Sequence, residues 1–207
     1  MRTILKRLRK DESGSIPIEG VMGALLLLGW YAIAFEFYDA FRMRAKATKA
    51  AYTVSDLLSR QRDEVGPKFV NGMKMVYDYV SDARISDRSW MRVSLIECRA
   101  DDEDWEPCDG VKKKISLISS YSTATSIPKH TDTTMKDETA RIPVMSAGDM
   151  AAVVETSAFY NPVIGIGDKV LLMGGSGTRI GLSSTLRFSN FIVTRPRSQR
   201  HVWNTLK

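Results

Sequence analysis

Hydrophobic and polar residues divide the chain into an N-terminal apolar segment and a longer body of mixed composition. Residues 20–35 contain no charged side chain. A membrane-spanning helix needs about 20 apolar residues, and Ile16–Phe35 has that length if Pro17 and Glu19 are tolerated. The pattern therefore predicts a transmembrane helix over residues 15–36.

The same helix is expected to continue over residues 37–66, because this stretch has no Gly or Pro before Gly66. Gly66-Pro67 supplies a stop signal and a first-turn proline for a second helix that ends near Ala83. Apolar side chains at helical spacing predict the buried face of the first helix, which consists of Phe37, Phe41, Ala45, Thr48, Tyr52 and Leu58.

After Ser86 the apolar period changes from helical to alternating, which predicts strands. We expect them near residues 91–98, 115–117, 150–159 and 186–193, with helix or strand at 169–173 and a long polar loop at 120–147. The predicted fold class is α+β. A long apolar N-terminal helix continues into a body, residues 67–207, with a small and mainly antiparallel sheet.

Charge and composition exclude one class of function. The chain has 207 residues and a net charge of +6, and 43% of its residues are hydrophobic, as in a folded protein. Loss of residues 1–14 would remove five basic and two acidic residues and leave +3. The basic residues are dispersed rather than grouped with aromatic ones, so we expect no nucleic-acid partner.

Cys98 and Cys108 are the only cysteines. In an oxidising compartment a disulfide between them would close a short loop and stabilise the fold by about 3 kcal/mol. Two unpaired thiols are the alternative. No metal site is predicted, because the cysteine spacing does not match a zinc site and the only histidines, His130 and His201, are far apart in sequence.

We predict no catalytic residue and no cofactor. The glycine-rich segment 174–181 lacks the spacing of a dinucleotide or phosphate loop, and a turn or hairpin explains it better. A histidine-dependent triad would have to use His130 or His201, both in loop-like or terminal segments. The acidic residues at 101–109 do not match a calcium-loop register, so a solvated loop is favoured over a cation site.

Gly14 and Glu19 enclose the stretch Ser15-Ile16-Pro17-Ile18 at the start of the apolar segment. An unpaired carboxylate at the bilayer centre costs roughly 2.5–3.5 kcal/mol, so a simple anchor gains nothing from Glu19. The register resembles that of type IV prepilins and pseudopilins. Their peptidase cuts after the glycine, and the fifth mature residue, a glutamate, meets a neighbour's α-amino group during assembly. The resemblance implies a leader at residues 1–14 and a mature chain that starts at Ser15.

Two other interpretations of this segment stay open. An ordinary secretory signal would use Ala32-Ile33-Ala34 as its cleavage site before Phe35. An uncleaved single-pass anchor would retain Met1. Basic residues lie on both sides of the apolar segment, so the charge bias favours a cytoplasmic N-terminus only weakly.

Three further fragments resemble the TadE-like minor pseudopilins of the tight-adherence (Tad) pilus. They are TVSDLLSRQ at 53–61, VVETSAFYNPVIG at 153–165 and LRFSNFIVTRPR at 186–197. The resemblance implies a non-enzymatic inner-membrane protein with a cytoplasmic N-terminus and a periplasmic body. Its implied partners are other pilins and pseudopilins and a prepilin peptidase, and its implied role is in pilus biogenesis and surface adhesion.

The chain departs from the major pilin of that system, which has tyrosine after the glutamate where this chain has Gly20. That difference, together with a body as long as residues 67–207, argues against the short major subunit. The alternative function is that of a bitopic inner-membrane protein with a periplasmic ligand- or partner-binding domain.

Overall fold

The computed structural model describes residues 15–82, 88–99, 108, 115–163, 170–173, 176–179, 182–197 and 200–206. The chain forms two compact units. The first consists of residues 1–41 and 162–183, and the second of residues 42–161 and 184–207. The predicted leader at residues 1–14 and the acidic segment 101–107 lie outside the described residues.

The predicted long helix is present as α1, Ser15–Arg60, which has 46 residues. At 1.5 Å per residue it is about 69 Å long. It ends before the expected stop at Gly66, because the following segment pairs with the C-terminal segment of the chain. The Val65 backbone N–H donates to the Val202 carbonyl oxygen at 2.8 Å, and Val65 forms a parallel bridge with Trp203.

The second helix, α2, spans Pro67–Ser81, with proline in its first turn as predicted. Its buried side chains include Val70, Met73 and Tyr77, which recur at helical spacing. The helix ends at Ser81. The next residue, Asp82, has a left-handed backbone conformation (φ 57°), and its N–H donates to the carbonyl oxygens of Asp78 and Tyr79.

The second unit contains the predicted antiparallel sheet, which confirms the α+β class. Its strands are β1 (Ser89–Cys98), β2 (Ile115–Ser122), β3 (Met150–Phe159) and β6 (Arg187–Thr194), in the order β2-β1-β3-β6. All neighbouring pairs are antiparallel. In the first unit, β4 (Val170–Met173) and β5 (Ser176–Arg179) form a two-stranded antiparallel pair. Residues 176–179 of the glycine-rich segment are therefore a strand, and 170–173 is a strand rather than a helix.

Helices α1 and α2 cover one face of the four-stranded sheet. The predicted buried face of α1 was wrong except at Leu58, because Phe37, Phe41 and Tyr52 are exposed. The buried positions are instead small or aliphatic and recur at helical spacing: Ala47, Ala50, Ala51, Val54 and Leu58. Of these, Ala50, Ala51, Val54 and Leu58 share a core with Met91, Val93 and Leu95 of β1.

A second core lies on the opposite face of the sheet. The central strands alternate between the two cores, so Ile96 and Val153 face the second one while their neighbours Leu95 and Val154 face the first. Residues 120–147 supply much of this second core, and the prediction of a polar loop there was wrong. The segment contains the end of β2, a short helix α3 (Asp132–Asp137) and a 3₁₀ turn (Thr139–Arg141), which bury Met135.

Candidate functional site

The N-terminal part of α1 is apolar and exposed. Within the described residues, one helix, Pro17–Arg60, is long and apolar enough to cross a membrane, and its most apolar window is not buried. Leu26 is 73% exposed and Trp30 is 74% exposed. A leucine or phenylalanine side chain left in water forgoes about 1.5–3 kcal/mol, so this surface needs lipid or protein around it.

The exposed apolar surface is about as long as a bilayer requires. Large apolar side chains are exposed from Ile18 to Phe41, the latter by 66%. Those 24 residues span about 36 Å along a helix, compared with about 30 Å for the hydrocarbon core and about 40–45 Å for the whole bilayer. Tyr52, beyond this stretch, is also exposed. Exposed aromatic side chains at the end of such a stretch are suited to the headgroup layer or to contact with another protein.

Just past the uncharged stretch, one side of α1 is buried and includes a charged side chain. Glu36 is 1% exposed, and Ala40, one turn further on, is buried as well. Phe37, Tyr38 and Phe41 lie on the remaining sides of the helix and are exposed. The sequence gives no signal for this burial, because Glu36 lies between two aromatic residues, Phe35 and Phe37.

The predicted processing and assembly residues fall at the start of this helix. Gly14 lies outside the described residues, and Ser15 is the first residue of α1. Glu19 is on the helix, with its side chain exposed.

The structure pairs Cys98 with Cys108, as predicted, with a Cα–Cα distance of 5.9 Å. Both residues are buried. The Cys108 backbone N–H also donates to the Met145 carbonyl oxygen at 2.7 Å, and the Cys98 N–H donates to the Asp149 carbonyl oxygen at 2.9 Å. The disulfide therefore holds Cys108 between the end of β1 and the segment that leads into β3.

A buried polar cluster, which sequence analysis missed, ties α3 to the sheet. Arg92 of β1 donates from Nε and Nη2 to both carboxylate oxygens of Glu155 on β3, at 2.6 and 2.8 Å. His130 Nε2 lies 2.9 Å from Glu155 Oε2, and its Nδ1 lies 3.0 Å from Thr134 Oγ1. The signal in the sequence is a pair of opposite charges, Arg92 in β1 and Glu155 in β3, within largely apolar strands.

The Thr134 hydroxyl, the His130 imidazole and the Glu155 carboxylate are linked in the order of a catalytic triad. Their other contacts favour a structural role. The Glu155 carboxylate is neutralised by the bidentate contact with Arg92, so it is a weak partner for an imidazolium. Thr134 Oγ1 belongs to the capping box of α3 and donates to the Thr131 carbonyl oxygen at 3.2 Å. These contacts hold the segment 128–134 against the sheet.

Comparison of the chain with family models, with curated proteins and with solved structures gives no match. The functional interpretation therefore rests on the chain's own residues and contacts. Within the described residues, no group of three or more His, Cys, Asp or Glu side chains has the arrangement of a metal site.

Proposed function

We propose that the protein is a minor pseudopilin-like subunit that takes part in the assembly of a Tad-type pilus and has no enzymatic activity. The observation that carries the proposal is the exposed apolar surface from Ile18 to Phe41, which is long enough to span a bilayer and needs lipid or protein around it. It lies on a helix that continues without a break to Arg60. A subunit that leaves the membrane to join a fibre needs such a surface for lateral packing against other subunits.

The position of Glu19 supports the same proposal. In an assembled fibre its carboxylate would pair with the new α-amino group of Ser15 on a neighbouring chain. Such a pair compensates a charge that is otherwise costly in an apolar layer. An anchor alone gives Glu19 no role, since a leucine there would insert at lower cost.

The disulfide supports an oxidising location for the body, because such bonds persist mainly outside the cytosol. With a single spanning helix this supports a cytoplasmic N-terminus and a periplasmic second unit. The resemblance to TadE-like proteins supplies the identity of the system and its partner pilins, pseudopilins and prepilin peptidase.

N-terminal sequencing of the membrane-extracted protein tests the processing step. A chain that starts at Ser15 supports the proposal, and Gly14→Leu should retain the leader and block assembly. A start at Phe35 would show ordinary signal cleavage. A start at Met1 would favour the second candidate function, a fixed single-pass membrane protein with a partner-binding body.

Glu19→Leu tests the assembly step separately from insertion. We expect the variant to insert into the inner membrane as well as the wild type and to give few or no surface pili when it is the only copy expressed. Ile18→Leu is the matched control, because it changes the neighbouring exposed position without adding or removing charge. Normal pilus numbers with Glu19→Leu would contradict a role for the carboxylate in assembly.

A further inference from the structure

A wide-open cavity of about 750 Å³ lies beside the four-stranded sheet, in the second unit. Residues from the end of β1, from the interior of β2, from the start of β3 and from the C-terminal segment 200–205 line it. Much of its wall is apolar and consists of Leu117, Ile118, Met150, Val202 and Trp203. Small-molecule sites in proteins have volumes of about 300–1,000 Å³ and a similar mixture of apolar walls with a few polar groups.

His201 lines this cavity and is 3% exposed. Neither of its ring nitrogens has a hydrogen-bond partner within the described part of the chain. Burial lowers the pKa of His201 below its ordinary value, so near neutral pH the ring is uncharged and carries one donor and one acceptor. A buried polar atom without a partner is unfavourable. Because both ring nitrogens are closed off from solvent, a ligand supplies such a partner only when a neighbouring side chain moves aside.

Backbone contacts hold His201 in this position. The segment that follows it is paired with residues 64–65, because the Asn204 N–H donates to the Val65 carbonyl oxygen at 2.9 Å and Asn204 Nδ2 donates to Glu64 Oε2 at 2.7 Å. On the other side, the Arg197 N–H donates to the Ser59 carbonyl oxygen at 2.9 Å. The imidazole is therefore placed by the fold and does not lie on a loose tail.

The charged residues of the cavity favour an anion. Arg200 pairs with Glu97, so these two charges compensate each other. Arg99, at the end of β1, is exposed at the cavity and makes no ion pair within the described residues. The lining thus carries an excess of one positive charge, which attracts a negatively charged ligand.

We propose that this cavity binds a small amphiphilic anion, a carboxylate with a short apolar group. Arg99 supplies the positive charge, the His201 N–H supplies a hydrogen-bond donor, and the walls around Trp203 and Leu117 take the apolar group. Such a carboxylate comes either from a free organic acid or from the C-terminus of a peptide with an apolar last residue. This binding site is independent of the proposed role in pilus assembly.

The chain has only two histidines, His130 and His201, so their imidazole signals can be followed separately in a binding experiment. The full-length protein, labelled with ¹⁵N-histidine and placed in lipid nanodiscs without a histidine tag, is titrated with hexanoate at neutral pH. We expect a saturating change of the His201 imidazole signals and no change at His130, which lies in the Glu155 cluster. Hexanamide, a neutral analogue, should bind at least roughly tenfold more weakly, as expected when a charge-assisted contact is lost.

Arg99→Gln should weaken hexanoate binding by a similar factor, whereas the control Arg44→Gln, at an exposed position of α1, should leave it unchanged. N-acetyl-leucine distinguishes the two ligand sources, since tighter binding than hexanoate points to a peptide C-terminus and weaker binding to a free acid. The proposal is overturned if the His201 signals do not saturate, if His130 shifts equally, if hexanamide binds as tightly, or if Arg99→Gln retains full affinity.

Discussion

The buried cluster of Arg92, Glu155 and His130 gives the sharpest test of what stabilises the second unit. Glu155→Gln keeps the size of the side chain and removes its negative charge. The side chain of Arg92 is 13% exposed and that of Glu155 is 9% exposed, so the guanidinium would remain largely buried without a counter-charge. Breaking one partner of a buried ion pair costs about 3–5 kcal/mol.

We therefore expect Glu155→Gln to lower the free energy of unfolding by about 3 kcal/mol, the lower end of that range, because glutamine can still accept one hydrogen bond. The measurement is guanidinium unfolding of the full-length protein in detergent, followed by tryptophan fluorescence. Trp90 is a suitable reporter, since its ring lies 5.9 Å from the Arg92 guanidinium.

Two further variants control this experiment. Glu138→Gln removes the same charge from an exposed pair with Arg141 and should cost no more than about 1 kcal/mol. Adding Arg92→Met to Glu155→Gln should restore stability relative to Glu155→Gln alone, because it removes the uncompensated charge. If Glu155→Gln costs no more than Glu138→Gln, or if Arg92→Met adds a further loss, the buried-charge argument is wrong.

Three other predictions follow from single contacts. Leu58→Ala should destabilise by about 2–5 kcal/mol in the same assay, while Leu57→Ala, at a 44% exposed neighbouring position, should cost much less; equal losses would contradict the observed face of α1. Replacing both cysteines with serine should cost about 3 kcal/mol, and labelling of both thiols in the unreduced wild type would disprove the bond. Burial lowers the pKa of His201 from 6.5, so the unfolded chain takes up the proton first. Stability should be complete above pH 6.5 and fall below it, and His201→Gln should flatten this slope; an unchanged slope would refute the assignment.

Much of the secondary structure was predictable from local pattern. The segment MAAVVETSAF predicted β3 over 150–159, and the structure has that strand at Met150–Phe159. Proline after Gly66 predicted the start of α2, which begins at Pro67. The end of α1 was less predictable, because the pairing of Val65 with Trp203 joins residues far apart in the chain.

The face of α1 that is buried could be decided only by the tertiary structure. Phe37, Phe41 and Tyr52 have the helical spacing of a core, yet they are exposed, and α1 buries Ala47, Ala50 and Ala51 instead. Apolar periodicity predicts that a helix has an apolar face, but it does not show what packs against that face.

The sequence by itself determined the apolar N-terminal helix, the α+β class and the pairing of the two cysteines, since each depends on residues close in the chain or on composition. The tertiary structure alone decided the strand order β2-β1-β3-β6, the meeting of His130 with Glu155, and the burial of His201. These features join residues that are distant in sequence, and several folded arrangements of the same local pattern would place them differently.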